Sequence, residues 1–590
     1  MREASSAPDR LAWNNRFLLL IAGLGGLLYG IDVGIIAGAL PYLEATSGLS
    51  GNQLSVVVAA VLLGSVLSTI FAGALADLMG RKKLMALSGV LFVASIPMIA
   101  LAHGYGPLVL GRLLQGTSAG LVGVVVPLYL AECLGAESRG RGTAMFQWLL
   151  TAGISAAAII AWIFSLRVEA IEHTGNAQAL FAFKDLAWRS IFWVSVLPGI
   201  FFTIGSFFVA ESPRWLYRKG LKTEAREALL RTRTSLEADG EMQEMEISAK
   251  AEAGSGTEKG GHQIKESLLR RKYVIPFVLA CIILACNQLT GINSIIGYNA
   301  TILIQAGLSD ANAHLGYIIL TLVNFGMTAV GMILVDRKGR KFLLSLGSAG
   351  IIVSLVFTGF IFHRTEAKRV ECASTMQTLV SADQQIDITL SPEVLQKLIP
   401  ASSKALLEKP STMVVTYAYG DFRTASAVIR AGSSLKINRE SLPSSKVAAF
   451  FANPFASLAE AKQAPLHIEN AILTPVPSST NGWLAAIGTF IFMAFFAVGP
   501  GICVWLALSE LMPTRIRSNG MSVALLINQA VSTTIAAVFL PTVGKHGYGT
   551  MFFGFAAFTL IYFITAAFFL PETKGKTLEE IEAHFEGNEA

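Results

Sequence analysis

Asp32 stands inside an apolar run, Tyr29-Gly30-Ile31-Asp32 within Phe17 to Leu40, and a carboxylate at membrane depth is expensive unless it is paired or functional. Arg112, entering a later apolar run, is the candidate partner. Burial and the guanidinium act on the carboxylate's protonation in opposite senses, so a conformational change could load and unload a proton; a permanently ionised salt bridge is the alternative. A second constellation sets carboxylates beside guanidinium groups at the ends of apolar runs: Asp77 with Arg81, Glu132 with Arg139, Asp336 with Arg340, Glu510 with Arg517. Such pairs can bridge neighbouring helix ends, and Asp77 can also accept from backbone N–H groups at a helix N-terminus. Holding in one conformation and parting in another, they would form a two-state latch. The plainer alternative for any one pair is the usual bias of Lys and Arg to one side of a membrane.

The elements that must position these residues are membrane helices. Of 590 residues 53% are hydrophobic and only 15% charged, and the mean hydropathy is +0.56, beyond what a water-soluble domain of this length needs. Apolar stretches of the roughly 20 residues that cross a bilayer recur about twelve times, among them Leu54 to Leu75, Ile275 to Leu289 with its continuation, and Met551 to Leu570. The net charge of +6 is not a nucleic-acid footprint, because Lys and Arg cluster in alternate short loops. Arg81, Lys82 and Lys83 mark one side, whereas the loops 41–51, 103–107 and 306–313 hold neither residue type. Both termini are therefore expected in the cytoplasm, with Phe17 onward a retained first span. Five cysteines, four of them in or beside spans, suggest neither a disulfide framework nor a metal cluster.

Two hydrophilic segments interrupt the spans. Residues 211–272, expected in the cytoplasm, contain a stretch that can form short amphipathic helices (Lys222 to Arg233) and a Gly/Ser-rich flexible stretch (Ala251 to Gly261). Residues 364–481, expected outside, mix a helix-like piece (Pro392 to Leu407) with a β-like run (Met413 to Tyr419), either a small folded cap or an ordered insert with no separate role. The flanking halves repeat. The Glu-to-Arg interval is seven residues in both copies, Glu132 to Arg139 and Glu510 to Arg517. The two aspartates, Asp77 and Asp336, are 259 apart and the two glutamates 378, an excess of 119 that matches the outer insertion.

Five further segments complete a pattern: Gly111-Arg112-Leu-Leu-Gln-Gly116, Pro127-Leu-Tyr129-Leu-Ala131-Glu132, Glu211-Ser212-Pro213-Arg214, Gln288-Leu-Thr-Gly291-Ile292-Asn293 and Pro571-Glu572-Thr573-Lys574-Gly575. With them the chain resembles the sugar porter family of the major facilitator superfamily, which includes bacterial xylose- and galactose-proton symporters and animal glucose and myo-inositol transporters. The resemblance covers nearly everything outside the hydrophilic segments. It implies an all-α membrane protein of twelve transmembrane helices in two pseudo-symmetric six-helix bundles, with Glu211 and Arg214 joining the latch. It also implies symport, since passive members carry a neutral residue at the position of Asp32.

A sugar is an uncharged ring of hydroxyls, so its site needs groups that both donate and accept beside apolar surface. The resemblance carries that role to Gln147, Gln288, Asn293, Asn324 and Asn528; the alternative for each is an ordinary helix-to-helix hydrogen bond. Asn287, Gly297-Tyr298 and Gln529 replace an amide and aromatic residues usual in the family, while Trp505 remains in the tenth span. Lost aromatic faces and an added amide at Gln529 suggest a polyol or a less common sugar. Glycines around Pro500 should bend that helix; close helix packing is the alternative role for them.

The expected organisation is a cytoplasmic start (1–16), an N-terminal bundle (17–210), a cytoplasmic helical linker (211–272), a C-terminal bundle (273–363 and 482–570) interrupted by an extracytoplasmic insertion (364–481), and a cytoplasmic end (571–590). Expected partners are a sugar or polyol, a proton and the lipid of a cell membrane, with no nucleic acid, no cofactor and no metal, the chain working as a monomer. No nucleophile with a base and no phosphate loop suggests an enzyme. A passive uniporter and a non-transporting sugar sensor are the alternatives, and the short stretch after the last span argues against the sensor.

Overall fold

Glycines placed at positive φ separate many of the long helices. The computed structural model describes residues 6–585 except 135, 256–270, 400–410, 427–428, 431, 444–448, 450–455, 513–516 and 575–583; side chains are also left undescribed at 6–10, 131, 136–144, 247–255, 336, 425, 429–430, 505–510, 517–519 and 522. The first five spans are α1 (Ser6–Thr46), α2 (Gly51–Met79), α3 (Arg81–Ala100), α4 (Tyr105–Cys133) and α5 (Ala136–Glu172). The sixth is two helices in line, α6 (Ala177–Val194) and α7 (Val196–Phe208). Then come α8 (Pro213–Arg218), α9 (Lys222–Leu230) and α10 (Ser235–Ser255). The stretch read as flexible from Ala251 is thus helical through Ser255; its remainder lies outside the described residues.

Span seven is α11 (Arg271–Leu289), α12 (Ile292–Gly297) and α13 (Asn299–Gln305), interrupted at the left-handed Gly291 (φ +84). Spans eight and nine are α14 (Asp310–Lys338) and α15 (Arg340–Glu366). The insertion follows as β1 (Val370–Glu371), α16 (Ala373–Gln377), β2 (Ile386–Thr389), α17 (Pro392–Leu398), β3 (Ser411–Tyr419), β4 (Phe422–Ala425), β5 (Ile429–Arg430), β6 (Ser434–Ile437), α18 (Leu458–Ala461) and β7 (Leu466–Pro475). Its main antiparallel sheet runs β1-β7-β3-β4, with β5 also on β3, and β2 pairs with β6. Met413, Val415, Tyr417, Leu435 and Leu473 give it a hydrophobic core of its own. The helix expected to Leu407 ends at Leu398, and 400–410 lie outside the described residues.

Span ten breaks at Gly499 between α19 (Ser479–Val498) and α20 (Pro500–Leu511), where proline takes the first helical position. Helix α21 (Arg517–Ile564) has 48 residues, about 70 Å at 1.5 Å per residue and twice what a bilayer needs. Gly547 (φ +87) divides it into spans eleven and twelve. Eleven stretches by length and hydropathy are thereby twelve spans. Large apolar side chains such as Phe71, Phe208 and Val353 are exposed along them, as lipid-facing surface requires.

A glycine stripe on α1 sets the position of the first carboxylate. Gly26, Gly30 and Gly34 meet backbone atoms of Phe146, Leu150 and Ile154 on α5, so added side chains would push the helices apart. Asp32, two residues from Gly30 and Gly34, lies about 200° round the helix from that stripe and therefore faces away from α5.

Three helix starts share one device. Glu211 Oε1 accepts from the N–H groups of Arg81 (2.9 Å) and Lys82 (3.1 Å) after Gly80 (φ +93). Glu572 accepts from those of Arg340 (3.0 Å) and Lys341 (3.2 Å) after Gly339 (φ +85). Glu366 accepts from those of Tyr548 (2.6 Å) and Gly549 (3.1 Å) after Gly547. Each carboxylate meets N–H groups that have no partner within their helix, at the positive end of its dipole. The helix-start acceptor next to Arg81 is therefore Glu211 and not Asp77, which ends the preceding helix and bonds Arg81's side chain instead. A Cβ on Gly547 would lie 2.6 Å from the Glu366 carboxyl carbon, so Gly547→Ala combines a left-handed penalty with loss of the cap. It should destabilise the protein by about 1–3 kcal/mol, read as a lowered melting temperature in detergent; an unchanged transition would refute the device.

Candidate functional site

Four groups of polar side chains lie at different depths along the spans. Asp32 is 1% exposed, and neither carboxylate oxygen has a hydrogen-bond partner among the described residues. Arg112 on α4, also 1% exposed, acts on it electrostatically without a direct bond. Its Nη1 donates instead to Gln115 Oε1 at 2.6 Å, and its guanidinium lies 5.7 Å from the centre of the Phe192 ring. The two residues thus share one buried region as separated charges.

The second group lies between α11, α12 and the first arm of α21. Gln288 Nε2 donates to Asn528 Oδ1 at 3.1 Å, and Asn293 Nδ2 donates to Gln288 Oε1 at 2.9 Å and to Ser532 Oγ at 2.6 Å. Asn528 Nδ2 donates to the Leu284 carbonyl at 2.9 Å. The break after Leu289 brings Asn293 back onto Gln288, and one helical turn places Ser532 beside Asn528. Gln288 and Asn293 remain only partly buried. Gln147, Asn324 and Gln529 are partly buried and, among the described residues, outside this network: the Asn324 side chain accepts from Thr328, in the same helix, at 3.5 Å. Next to Gln147 and Asn324 in sequence, Trp148 and Phe325 stack across the two halves with centroids 4.8 Å apart. Trp505's side chain lies outside the described residues.

The third group joins the halves at the insertion end. Tyr317 Oη donates to the Gly34 carbonyl at 3.0 Å, His314 Nε2 lies 3.2 Å from the Gly38 carbonyl, and Tyr42 Oη donates to Asp310 Oδ2 at 2.6 Å. Tyr42 and His314 also stack with planes 8° apart. Positions 34, 38 and 42 climb α1 one turn at a time while 317, 314 and 310 descend to the start of α14, so the contacts form three rungs. Sequence reasoning missed them; the available signal was one helical face of α14 carrying Asp310, His314 and Tyr317.

The fourth group lies at the other end of α2. Arg81, 2% exposed, donates from Nε and Nη2 to both oxygens of Glu132 at 2.8 Å and from Nη1 to Asp77 Oδ1 at 2.9 Å. Ser212 donates a short bond to Glu132, and Arg218 Nη2 reaches Glu132 at 3.4 Å and Asp77 at 3.7 Å. Arg214 and Arg218 are both exposed, and it is Arg218, one turn further along the same face of α8, that reaches the cluster. The described ion pairs here all fall within the N-terminal half and its linker. Arg340 donates to the Val335 carbonyl at 3.4 Å; the side chains of Arg139, Asp336, Glu510 and Arg517 lie outside the described residues.

Tyr42→Phe removes the outermost rung with little change in shape. Loss of one bond to a carboxylate, about 1.5–3 kcal/mol, should raise the open population at the insertion end roughly ten- to a hundredfold, seen as faster hydrogen exchange in residues 34–46. Equal exchange in both proteins would count against the rungs as a closure.

Comparison with known proteins agrees with this arrangement. Residues 18–382 and 465–585 match the family model described as "Sugar (and other) transporter". The human "Proton myo-inositol cotransporter" is 27% identical over 577 residues, covering 96% of this chain and 81% of that one. The "Galactose-proton symporter" of Escherichia coli is 32% identical over 349 residues, 59% of this chain and 70% of that one. The inward open conformation of the xylose transporter XylE from E. coli superposes with a TM-score of 0.62 at 21% identity, covering 96% of this chain and 98% of that one.

Proposed function

Because the chain belongs to the sugar porter family of the major facilitator superfamily, a family of transporters, we propose that it carries a monosaccharide or polyol across a cell membrane together with a proton, by alternating access. The observation that carries the coupling is Asp32: fully buried, without a hydrogen-bond partner among the described residues, and facing an arginine that it does not touch. A static salt bridge would bring the two charges into contact. A carboxylate held apart from its counter-charge can instead exchange a proton whenever one conformation gives it access to water. The names of the myo-inositol cotransporter and the galactose-proton symporter support the same reading.

In this reading Gln288, Asn293 and Asn528, with Ser532, bind the solute's hydroxyls, and Gln147, Asn324, Gln529 and Trp505 complete the cavity from facing helices. The amides bonded to one another here exchange those partners for the ligand, which keeps every polar group satisfied in both states. The three rungs close the insertion end. The latch is Asp77, Arg81, Glu132, Arg139, Glu211 and Arg214 in one half and Asp336, Arg340, Glu510 and Arg517 in the other. Its carboxylate–arginine pairs are remade as the halves rock, and proton and solute each shift that equilibrium by their preference for one state. The Lys and Arg bias puts the latch end and both termini in the cytoplasm and the insertion outside, and a monomer suffices for the cycle.

Asp32→Asn should abolish uphill accumulation in proteoliposomes under an imposed pH gradient while leaving counterflow exchange measurable. Accumulation at the wild-type level would remove Asp32 from the coupling. Gln288→Ala breaks two of the cluster's bonds and should weaken solute binding roughly tenfold or more; an unaltered calorimetric affinity would take Gln288 out of the site.

A further inference from the structure

The geometry points to a second solute site, in a chamber between the insertion and the outermost ends of the spans. The chamber has a volume of about 830 Å³, within the range of small-molecule sites. Its roof includes Ser433, Ser434 and Lys436 of the insertion, and its walls include Gln53 and Tyr105 from the N-terminal half and Gln305 from the C-terminal half. Tyr42 and Asp310, the outermost rung of the closure, also border it. The chamber therefore stands on one side of the closed rungs and Asp32 on the other, since Gly34, Gly38 and Tyr42 follow Asp32 along α1.

Two features set the chemistry of the occupant. Thr301 borders the chamber at 3% exposure, and its hydroxyl has no hydrogen-bond partner among the described residues. A buried hydroxyl left unpaired is unfavourable unless something else meets it, and the space beside it is this chamber. The border also carries four carboxylates, Glu44, Glu172, Asp310 and Glu440, against the two ammonium groups of Lys184 and Lys436. That balance repels an anion. Serine hydroxyls, the amides of Gln53 and Gln305 and the rings of Tyr105 and Phe181 suit an uncharged, polyhydroxylated molecule with one apolar face. A solute held here waits at the closed end, and opening the rungs parts Tyr42 from Asp310 beneath it. The inference deepens the reading of the chain as a sugar or polyol carrier and rests on it.

Equilibrium dialysis of the purified full-length protein against tritiated myo-inositol and tritiated D-glucose tests it. At least one solute should fill two sites per chain. Thr301→Val keeps the side chain's shape and removes a hydroxyl with no partner among the described residues, so its melting temperature should hold while one site weakens roughly five- to tenfold. Ser434→Trp, at an exposed position of the chamber roof, should abolish that same site by filling it. A single site in the wild-type protein, or isotherms unaltered by Thr301→Val and Ser434→Trp, overturns the chamber. Gln288→Ala should remove only the other site. If every site survives Gln288→Ala while one responds to Thr301→Val, the carboxamide site fails and the chamber stands.

Discussion

A helix in hydrocarbon satisfies its own backbone, but a polar side chain at membrane depth is costly unless it bonds back to that backbone, finds a partner on another helix or faces a cavity. The two halves answer this constraint differently. In the C-terminal half Gln288, Asn293, Asn528 and Ser532 bond one another and the Leu284 carbonyl. In the N-terminal half Asp32 is left with nothing but the field of Arg112. Neutral amides can exchange one another for a ligand at small net cost, because the bonds lost and gained are alike. A lone carboxylate has no such exchange open to it except with a proton or a counter-charge. In the proposed cycle the proton acts on the N-terminal half and the solute chiefly on the C-terminal half, so a motion of one half against the other would link them.

That motion needs interfaces with discrete arrangements, and the ends of the molecule supply them in different ways. At the insertion end the bonds run from side chains to the carbonyls of Gly34 and Gly38, where the missing side chains leave the backbone open to approach. At the latch end Arg81 is buried under two carboxylates, Asp77 and Glu132, and Glu211 fixes the start of its helix through the backbone. Removing one member of such a buried pair costs about 3–5 kcal/mol, so in this conformation the cluster ties α2, α3, α4 and α8 together. The rungs, each a single hydrogen bond with only the outermost one to a carboxylate, are the weaker set, and in the proposed cycle the weaker set is the one that opens.

The membrane fold was legible because apolar runs of bilayer length are hard to mistake, and the repeat of Asp77 and Glu132 at Asp336 and Glu510 fixed the two-half architecture. Asp32 stood out for the same reason, a charge where none is expected. Part of the site was legible only through family resemblance: Gln288, Asn293 and Asn528 meet, but the meeting depends on the break at Gly291, which spacing alone does not reveal. Ser532 carried no signal, since serine in a membrane helix usually bonds its own backbone, as Ser88 and Ser95 do here. The rungs were illegible because Tyr42 and Asp310 are 268 residues apart and each alone is an ordinary loop-end residue. Arg214 was named because the motif ends there, whereas Arg218, one turn further along α8 and half exposed, is the guanidinium that reaches Glu132 and Asp77.

The insertion follows from the same constraint applied to the aqueous ends of the spans. It carries its own core around Met413, Val415 and Leu435, so its fold does not depend on the spans, yet Asn52 at the start of α2 donates to the Arg423 carbonyl of β4 at 3.2 Å. Rooted between α15 and α19 in one half and touching α2 of the other, it spans the line along which the halves must part. An exposed hydrogen bond, beside a large polar chamber, adds little resistance to the movement proposed. A buried apolar seam at the same place would fasten the halves together, so the polarity of this junction is what would make a large outer domain compatible with the opening proposed beneath it.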